Sequence, residues 1–401
     1  MKTYFRVAPL ALAISASGAI AQANDEAVAQ MQQQLNSMQQ QLNSVKNDRV
    51  RFNGFFSTGY SRASNDVGFT GVSEDSSVGD QSLLALQGTF DVTEKSQAVM
   101  QLVGRGAEDW DPVIEWAYLS HRPTNNLQLR AGKMRLPFFM YSDSLEVGYS
   151  QPWARPPQSV YGPIESTSYV GADATYTINL DSSAITAQAF TGFNDQNTRS
   201  ATTEFRNLIG STVSWTDYLW TVRAVAVTTE ATVEATRLAE RAANLGIQLP
   251  PGTTTLADND RANFFGVGFS YDDGTWQVIS EVTRSEVDGR FTDTDSAYIS
   301  AGRRFGSWTP YLAVGWSETQ DDDERTGDFV PGAVPEAILN TRRDEYSVGT
   351  RWDITPGVAI KADVTHVRGF EDAPGGLNQD YVLANGKNST NVYTLKLDSA
   401  F

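Results

Sequence analysis

The sequence predicts an all-β chain: a sixteen-stranded antiparallel transmembrane β-barrel preceded by an α-helical coiled-coil segment. Three observations carry that reading. The hydrophobic period changes from 3.5 to 2 near Arg51 and stays at 2 to the C-terminus. Tight turns and long polar loops alternate strictly along the period-2 region. The chain has no cysteine and no apolar run long enough for a spanning helix, yet it opens with an export segment.

That first segment is residues 1–23. Lys2 and Arg6 precede an apolar run from Val7 to Ile20, and Ala21-Gln22-Ala23 follows. A charged start, a short apolar stretch and an A-x-A site make a secretory signal peptide, which is excluded from the fold. Its removal takes away Lys2 and Arg6 and moves the formal net charge from −17 to −19. So acidic a chain does not bind nucleic acid through phosphate contacts. The absence of cysteine excludes disulfides, thiolate catalysis and cysteine metal sites.

Residues 24–49 change the period. Val28, Met31, Leu35, Met38, Leu42 and Val45 are spaced 3, 4, 3, 4, 3, an a/d seam among Gln, Asn and Ser. A helix that is polar except for one narrow seam is marginal alone in water. A parallel coiled coil joining subunits would bury the seam; the plainer readings are an amphipathic helix packed on its own domain or a Gln-rich disordered linker. Mixed Val, Met and Leu at a and d leave the number of helices open.

From residue 50 to 401 the chain reads as strands of about ten residues, the length a tilted membrane strand needs. Seven tight turns are legible: "DVTEK" (91–95), "RPTNN" (122–126), "LDSS" (180–183), "TD" (216–217), "DDG" (272–274), "FGS" (305–307) and "TPG" (355–357). Between the hairpins lie eight loops, at about 61–81, 105–112, 135–168, 194–206, 229–262, 286–295, 318–344 and 369–390. In the fifth, "EATVEATRLAERAANLG" (230–246) has helical spacing and ends on Gly246, which predicts a short helix.

The strands have two faces. Leu84, Leu86 and Phe90 oppose Gln87 and Thr89; Leu312, Val314 and Trp316 oppose Thr309, Tyr311 and Ser317; Val358, Ile360, Ala362 and Val364 oppose Lys361, Asp363 and Thr365. A soluble sheet buries the apolar face, whereas a membrane barrel turns it to lipid and keeps the polar face for its lumen. Three features favour the membrane. Trp215, Tyr218, Tyr271, Trp276, Phe305, Trp308 and Trp352 bracket the tight turns as an interfacial girdle. Small residues such as Ala172, Ala174, Ala187, Ala189, Ala224 and Ala226 occupy outward positions, where a soluble core would want bulk. The chain ends "NVYTLKLDSAF", with Tyr393, Leu395, Leu397 and Phe401 on the lipid parity.

These features together resemble the Gram-negative trimeric outer-membrane porins, over nearly all of residues 50–401. The coiled coil is similar to that of the coiled-coil-bearing substrate-preferring porins of the sucrose and dicarboxylate type. The resemblance implies several properties. The protein would sit in the outer membrane of a Gram-negative bacterium, with its N-terminal segment in the periplasm. It would be a homotrimer among outer-membrane lipids and lipopolysaccharide. Phe401 would be the assembly signal read by the barrel-assembly machinery. The third loop would fold into the barrel and narrow it. The function implied is passive diffusion of small hydrophilic solutes, with no cofactor.

The third loop, 135–168, suits that part. "GKMRLPFFMYSDSLEVGYSQPWARPPQSVYG" (132–162) is aromatic and proline-bearing, unlike the acidic loops elsewhere. Such a segment packs against something, and proline stiffens it. Selectivity in a pore comes from its diameter and from the charges at the narrowest point. On the loop those are Arg135 and Arg155 against Asp143, Glu146 and Glu165. Arg130, Arg223, Arg304, Arg351, Lys361 and Lys396 fall on the inward parity of the wall, with Asp173, Glu281, Glu345 and Asp363 as inward anions. The surplus of arginine gives a weak leaning to anionic solutes. Each of these charges also has a plainer reading, as a lumen ion pair that stiffens the barrel.

Other functions fit less well. The acidic loop runs "SEDSS" (73–77), "DDDER" (321–325) and "FTDTDS" (291–296) match no ordered calcium loop, so no metal site is assigned. An enzyme needs a nucleophile beside a base, but the two histidines, His121 and His366, fall at opposite ends of their strands. The alternatives kept are a soluble periplasmic all-β binding protein and a barrel-anchored structural tether to the cell wall.

Overall fold

The computed structural model describes residues 49–401 apart from 76–77, 80, 165–167, 198–200, 237–238, 241–242, 244–247, 250–251, 323–339 and 370–385. The expected signal peptide and the coiled-coil seam from Val28 to Val45 lie outside the described residues, as does Glu165.

Alternation of apolar and polar residues makes each strand two-faced, and a two-faced sheet with no free edge must close on itself. Sixteen strands do so. They are β1 (Val50–Ala63), β2 (Leu83–Thr93), β3 (Ser96–Arg105), β4 (Pro112–His121), β5 (Leu127–Arg135), β6 (Ser168–Asn179), β7 (Ala184–Asn197) and β8 (Thr202–Thr216). The second half is β9 (Trp220–Glu234), β10 (Thr255–Asp272), β11 (Trp276–Val287), β12 (Thr294–Arg303), β13 (Trp308–Thr319), β14 (Arg342–Thr355), β15 (Val358–Gly369) and β16 (Ser389–Ala400). Every strand pairs antiparallel with its neighbours in sequence, and β1 pairs with β16 to close the barrel. The chain end takes part in the closure. Gly54 N–H donates to Phe401 O at 2.8 Å and Phe401 N–H to Gly54 O at 2.9 Å. The Phe401 ring faces outward, 68% exposed.

The seven tight turns fall where the sequence puts them. The 273–275 turn shows the chemistry. Asp273 Oδ1 accepts from Thr275 N–H at 2.8 Å and Trp276 N–H at 2.6 Å, while Gly274 takes φ +84°. The outward parity is an apolar band that includes Leu84, Leu86, Val213, Val267, Ile299, Leu312, Val348 and Leu395, all exposed. At the turn end Trp215, Tyr218, Trp220, Trp276, Phe305, Trp308 and Trp352 are exposed in a girdle. Trp308 and Trp352 face each other in register and stack at 5.2 Å.

Three expectations need correction. The fourth and fifth loops are shorter than 194–206 and 229–262, because β7 to β10 run on and leave only 198–201 and 235–254 between them. The helix expected at 230–246 does not begin at Glu230. Residues 230–234 continue β9, with Thr229, Ala231 and Val233 buried in alternation, since threonine and valine suit a strand better than a helix. Helical residues start at Thr236.

The third correction concerns the lumen, whose wall is not uniformly polar. Phe190, Phe205, Leu208, Val225, Val227, Phe264 and Ile279 are buried on the inner side of β7 to β11, in one cluster with Phe138, Phe139, Trp153 and Tyr161 of the third loop. "VRAVAV" (222–227) and "NFFGVGF" (263–269) are apolar on both parities. One face meets the outside and the other is covered by the loop.

Candidate functional site: the lumen and its third loop

Residues 136–164 of the third loop lie inside the barrel. An irregular segment there must place its backbone donors and acceptors, because an unpaired buried peptide group costs about 1–3 kcal/mol. The wall supplies partners by charge. Cations take carbonyls: Arg223 donates to Pro137 O and, at 3.2 Å, to Phe138 O. Lys361 donates to Gly148 O at 2.5 Å, Arg351 to Tyr149 O at 2.5 Å and Gln151 O at 3.0 Å, and Arg343 to Gln158 O at 2.6 Å. Carboxylates take amides: Met140 N–H donates to Glu281 at 2.8 Å and Gln158 N–H to Glu345 at 3.1 Å. Ala154 N–H donates to the Tyr311 hydroxyl at 3.1 Å, which in turn donates to Asp363 at 2.8 Å. Pro137, Pro152, Pro156 and Pro157 bring no N–H and so need no acceptor.

Aromatic packing completes the docking. Phe138 stacks on Phe264 at 4.8 Å, Phe139 tilts on Tyr161 at 5.0 Å, and Trp153 meets Tyr298 edge-on at 5.7 Å. Trp153 Nε1 donates to Ser300 at 2.8 Å. The Tyr161 and Tyr298 hydroxyls both donate to Glu281, which therefore holds three donors from loop and wall. Burial pushes the Tyr161 phenol well above its ordinary value and Tyr141 up to about 12, so both stay protonated at neutral pH.

The expected constriction residues separate into two groups. Arg135 and Glu146 close into a four-membered ion-pair ring with Arg105 and Glu115. Arg135 lies 2.9 Å from Glu115 and 2.6 Å from Glu146; Arg105 lies 2.8 Å from Glu115 and 2.6 Å from Glu146. Arg135 is the last residue of β5 and its side chain is 4% exposed. The sequence reads Arg135 as a charge at the narrowest point; here it is buried and clamps the loop to β3 and β4. Arg155 is half-buried and donates to Thr70 of the first loop, whose Val67, Phe69 and Val72 are buried against Val367 and Val392. Asp143, by contrast, is exposed.

Among the wall cations, Arg223, Arg351 and Lys361 hold loop carbonyls, as above. Arg304 sits beyond the end of β12, at the turn mouth, paired with Asp272 at 2.5 Å. Arg130 pairs with Asp173 at 2.6 Å, lies over the Tyr118 ring at 5.4 Å, and keeps 20% of its side chain exposed. Asp143 is within electrostatic reach of Arg130 and Arg223. Solvent-facing charge of both signs is therefore present, with Arg130 on β5 and Asp143 on the third loop. The sequence reading missed Arg105, Glu115, Arg343 and Asp398. Asp398 and Arg343 were available from their inward parity. Glu115 was not, because the bulge opposite Gln101 and Leu102 breaks the alternation of β4.

No family model matches the chain, and no curated protein matches it in sequence. Solved structures match it in fold. In-vitro folded OmpT, an outer membrane protein of Vibrio cholerae in trimer form, aligns with TM-score 0.54 at 12% identity, over 88% of this chain and 99% of that one. The anion-selective porin from Comamonas acidovorans gives 0.55 at 14%, over 88% and 99%. This chain has the porin fold. OmpF of Salmonella typhi, in complex with daunomycin, gives 0.57 at 12% identity over 88% and 97%. At these identities the likeness is one of fold alone.

His121 and His366 are at opposite ends of this porin barrel. His121 closes β4 at a tight turn and bonds Ser96 at 2.9 Å; His366 lies towards the loop end of β15 and bonds Asn391 at 2.8 Å.

Proposed function

We propose that the protein is an outer-membrane porin, a passive diffusion channel for small hydrophilic solutes that works as a homotrimer without a cofactor. The observation that carries this reading is a closed sixteen-stranded barrel, apolar outside, with a long loop docked in its lumen. The exposed apolar band counts against a soluble binding protein, whose surface rarely shows apolar patches beyond a few hundred Å². Phe401, outward at the closing seam, suits recognition by an assembly machinery. The tight turns and the N-terminal coiled coil then lie in the periplasm, and the acidic loops face outward beside lipopolysaccharide.

Solute selectivity belongs to the side where Arg130 and Asp143 keep solvent contact. The arginine surplus that favours anions is weaker in effect than in number, because Arg223, Arg351 and Lys361 are engaged by the loop backbone. The test is reconstitution into a planar bilayer under a salt gradient. Stepwise conductance with a small reversal potential is expected. Absence of conductance from correctly folded protein overturns the reading.

A further inference from the structure

Arginine on the outward face of a membrane strand is expensive unless its charge is met. Near the loop end, four outward arginines lie beside carboxylates: Arg62 by Glu74 at 3.9 Å, Arg206 by Glu204 at 2.8 Å, Arg284 by Glu286 at 2.8 Å and Arg342 by Glu318 at 3.5 Å. Arg303 is different. It ends β12 at the turn end, exposed, on the parity of Ile299 and Ala301. Its guanidinium lies over two girdle rings, 5.1 Å from Trp276 and 4.8 Å from Phe305. Among the described residues no carboxylate comes within 4.0 Å of it. The nearby turn acid, Asp273, is already held by Trp276 N–H, Thr275 N–H and the Tyr271 hydroxyl.

We propose that Arg303, held by Trp276 and Phe305 at the interfacial girdle, binds the phosphate of an anionic phospholipid in the leaflet around the tight turns. The inference rests on the membrane reading above. Two rings fix the planar fork in place, so little side-chain freedom is lost when a phosphate accepts from it. The same rings offer a lipid an apolar wall, with Trp308 and Trp352 exposed beyond them. At the loop end Arg62, Arg206, Arg284 and Arg342 each have a protein carboxylate; at the turn end the complementary charge comes from the lipid.

The test uses the full chain reconstituted in phosphatidylcholine vesicles containing a minor fraction of phosphatidylglycerol. Lipid retained after gentle extraction is identified by native mass spectrometry. Wild type keeps phosphatidylglycerol in preference to phosphatidylcholine, and Arg303→Gln loses that preference about fivefold, the scale of one interfacial basic residue. Arg303→Lys keeps part of it, since an ammonium lacks the bidentate fork. Added inorganic phosphate leaves the retained lipid in place. The proposal is overturned if the Gln variant retains phosphatidylglycerol like wild type. Displacement by free phosphate, or a second copy of the chain on this face in place of lipid, overturns it equally. Conductance of the same preparations is measured in parallel: Arg303→Gln conducts as wild type, and a silent but lipid-selective protein sinks the porin reading instead.

Discussion

Lys361 and Asp398 form an ion pair at 2.8 Å with neither side chain exposed at all. They come from the paired strands β15 and β16, and the pair holds more than itself. Lys361 donates to Gly148 O of the third loop, while Ser57 of β1 donates to Asp398 at 2.5 Å. Gly148 fits there because it has no side chain; a β-carbon would stand 2.8 Å from Ser57 Oγ. Removing Asp398 strands a buried ammonium. Asp398→Ala is expected to destabilise the folded protein by about 3–5 kcal/mol, whereas the apolar double change Lys361→Met with Asp398→Leu recovers most of that. Urea midpoints of the reconstituted protein measure both. A single variant no worse than the double would show that the pair is not what holds this seam.

The carbonyls of the third loop give a second prediction. Arg223 and Arg351 each donate to two of them. A hydrogen bond from a charged donor is worth about 1.5–3 kcal/mol. Arg223→Ala and Arg351→Ala should leave the barrel folded but loosen the loop, giving noisier single-channel currents and faster proteolysis between residues 136 and 164. Arg304→Ala removes an equal charge at the turn mouth, where the partner is Asp272 rather than the loop. It should change neither readout.

Much of this architecture was legible because strand parity is a strict code. Leu84, Val348 and Leu395 announce the outer face, and the tight turns announce the hairpins. The code failed where a second constraint overlay it. Val225 and Phe264 look like departures from alternation until the loop covering them is known. Arg135 is read as lining a pore from its position in the chain, but its charge is neutralised by Glu115, a residue on a bulge that periodicity cannot place. Wall arginines that suggest solute contact instead meet carbonyl oxygens, which no side-chain pattern reveals.

Selectivity should follow exposure rather than proximity to the loop. Asp143 is exposed, and Arg130 retains solvent contact. Asp143→Asn is expected to move the reversal potential in a salt gradient towards anions, and Arg130→Gln towards cations. Arg135→Ala should barely move it. Its effect appears as lost stability of about 3–5 kcal/mol, because buried Glu115 and half-buried Glu146 are left without their full complement of cations. A large selectivity change from Arg135→Ala with unchanged stability would reverse this assignment.

The docked tyrosines set an alkaline limit. In the unfolded chain a phenol ionises near about 10. In the folded chain burial pushes Tyr141 up to about 12 and raises Tyr161 well above its ordinary value. Between those values the unfolded state has released protons that the folded state keeps, so stability is full below about pH 10 and falls as pH rises above it. Tyr161→Phe removes one such titration but also a donor to Glu281. Tyr141→Phe gives up the hydroxyl's bond to Ser270 but leaves the donors to Glu281 in place, and the ring keeps its edge-on contact with Trp153 at 6.1 Å. It should lose about 1 kcal/mol at neutral pH, the worth of one neutral hydrogen bond, and hold its remaining stability to a higher pH. Tryptophan fluorescence followed through an alkaline titration reads the midpoint, and ultraviolet tyrosinate absorbance reads the ionisation. A midpoint unmoved by Tyr141→Phe, with tyrosinate appearing well before unfolding, would assign the limit to groups outside the loop.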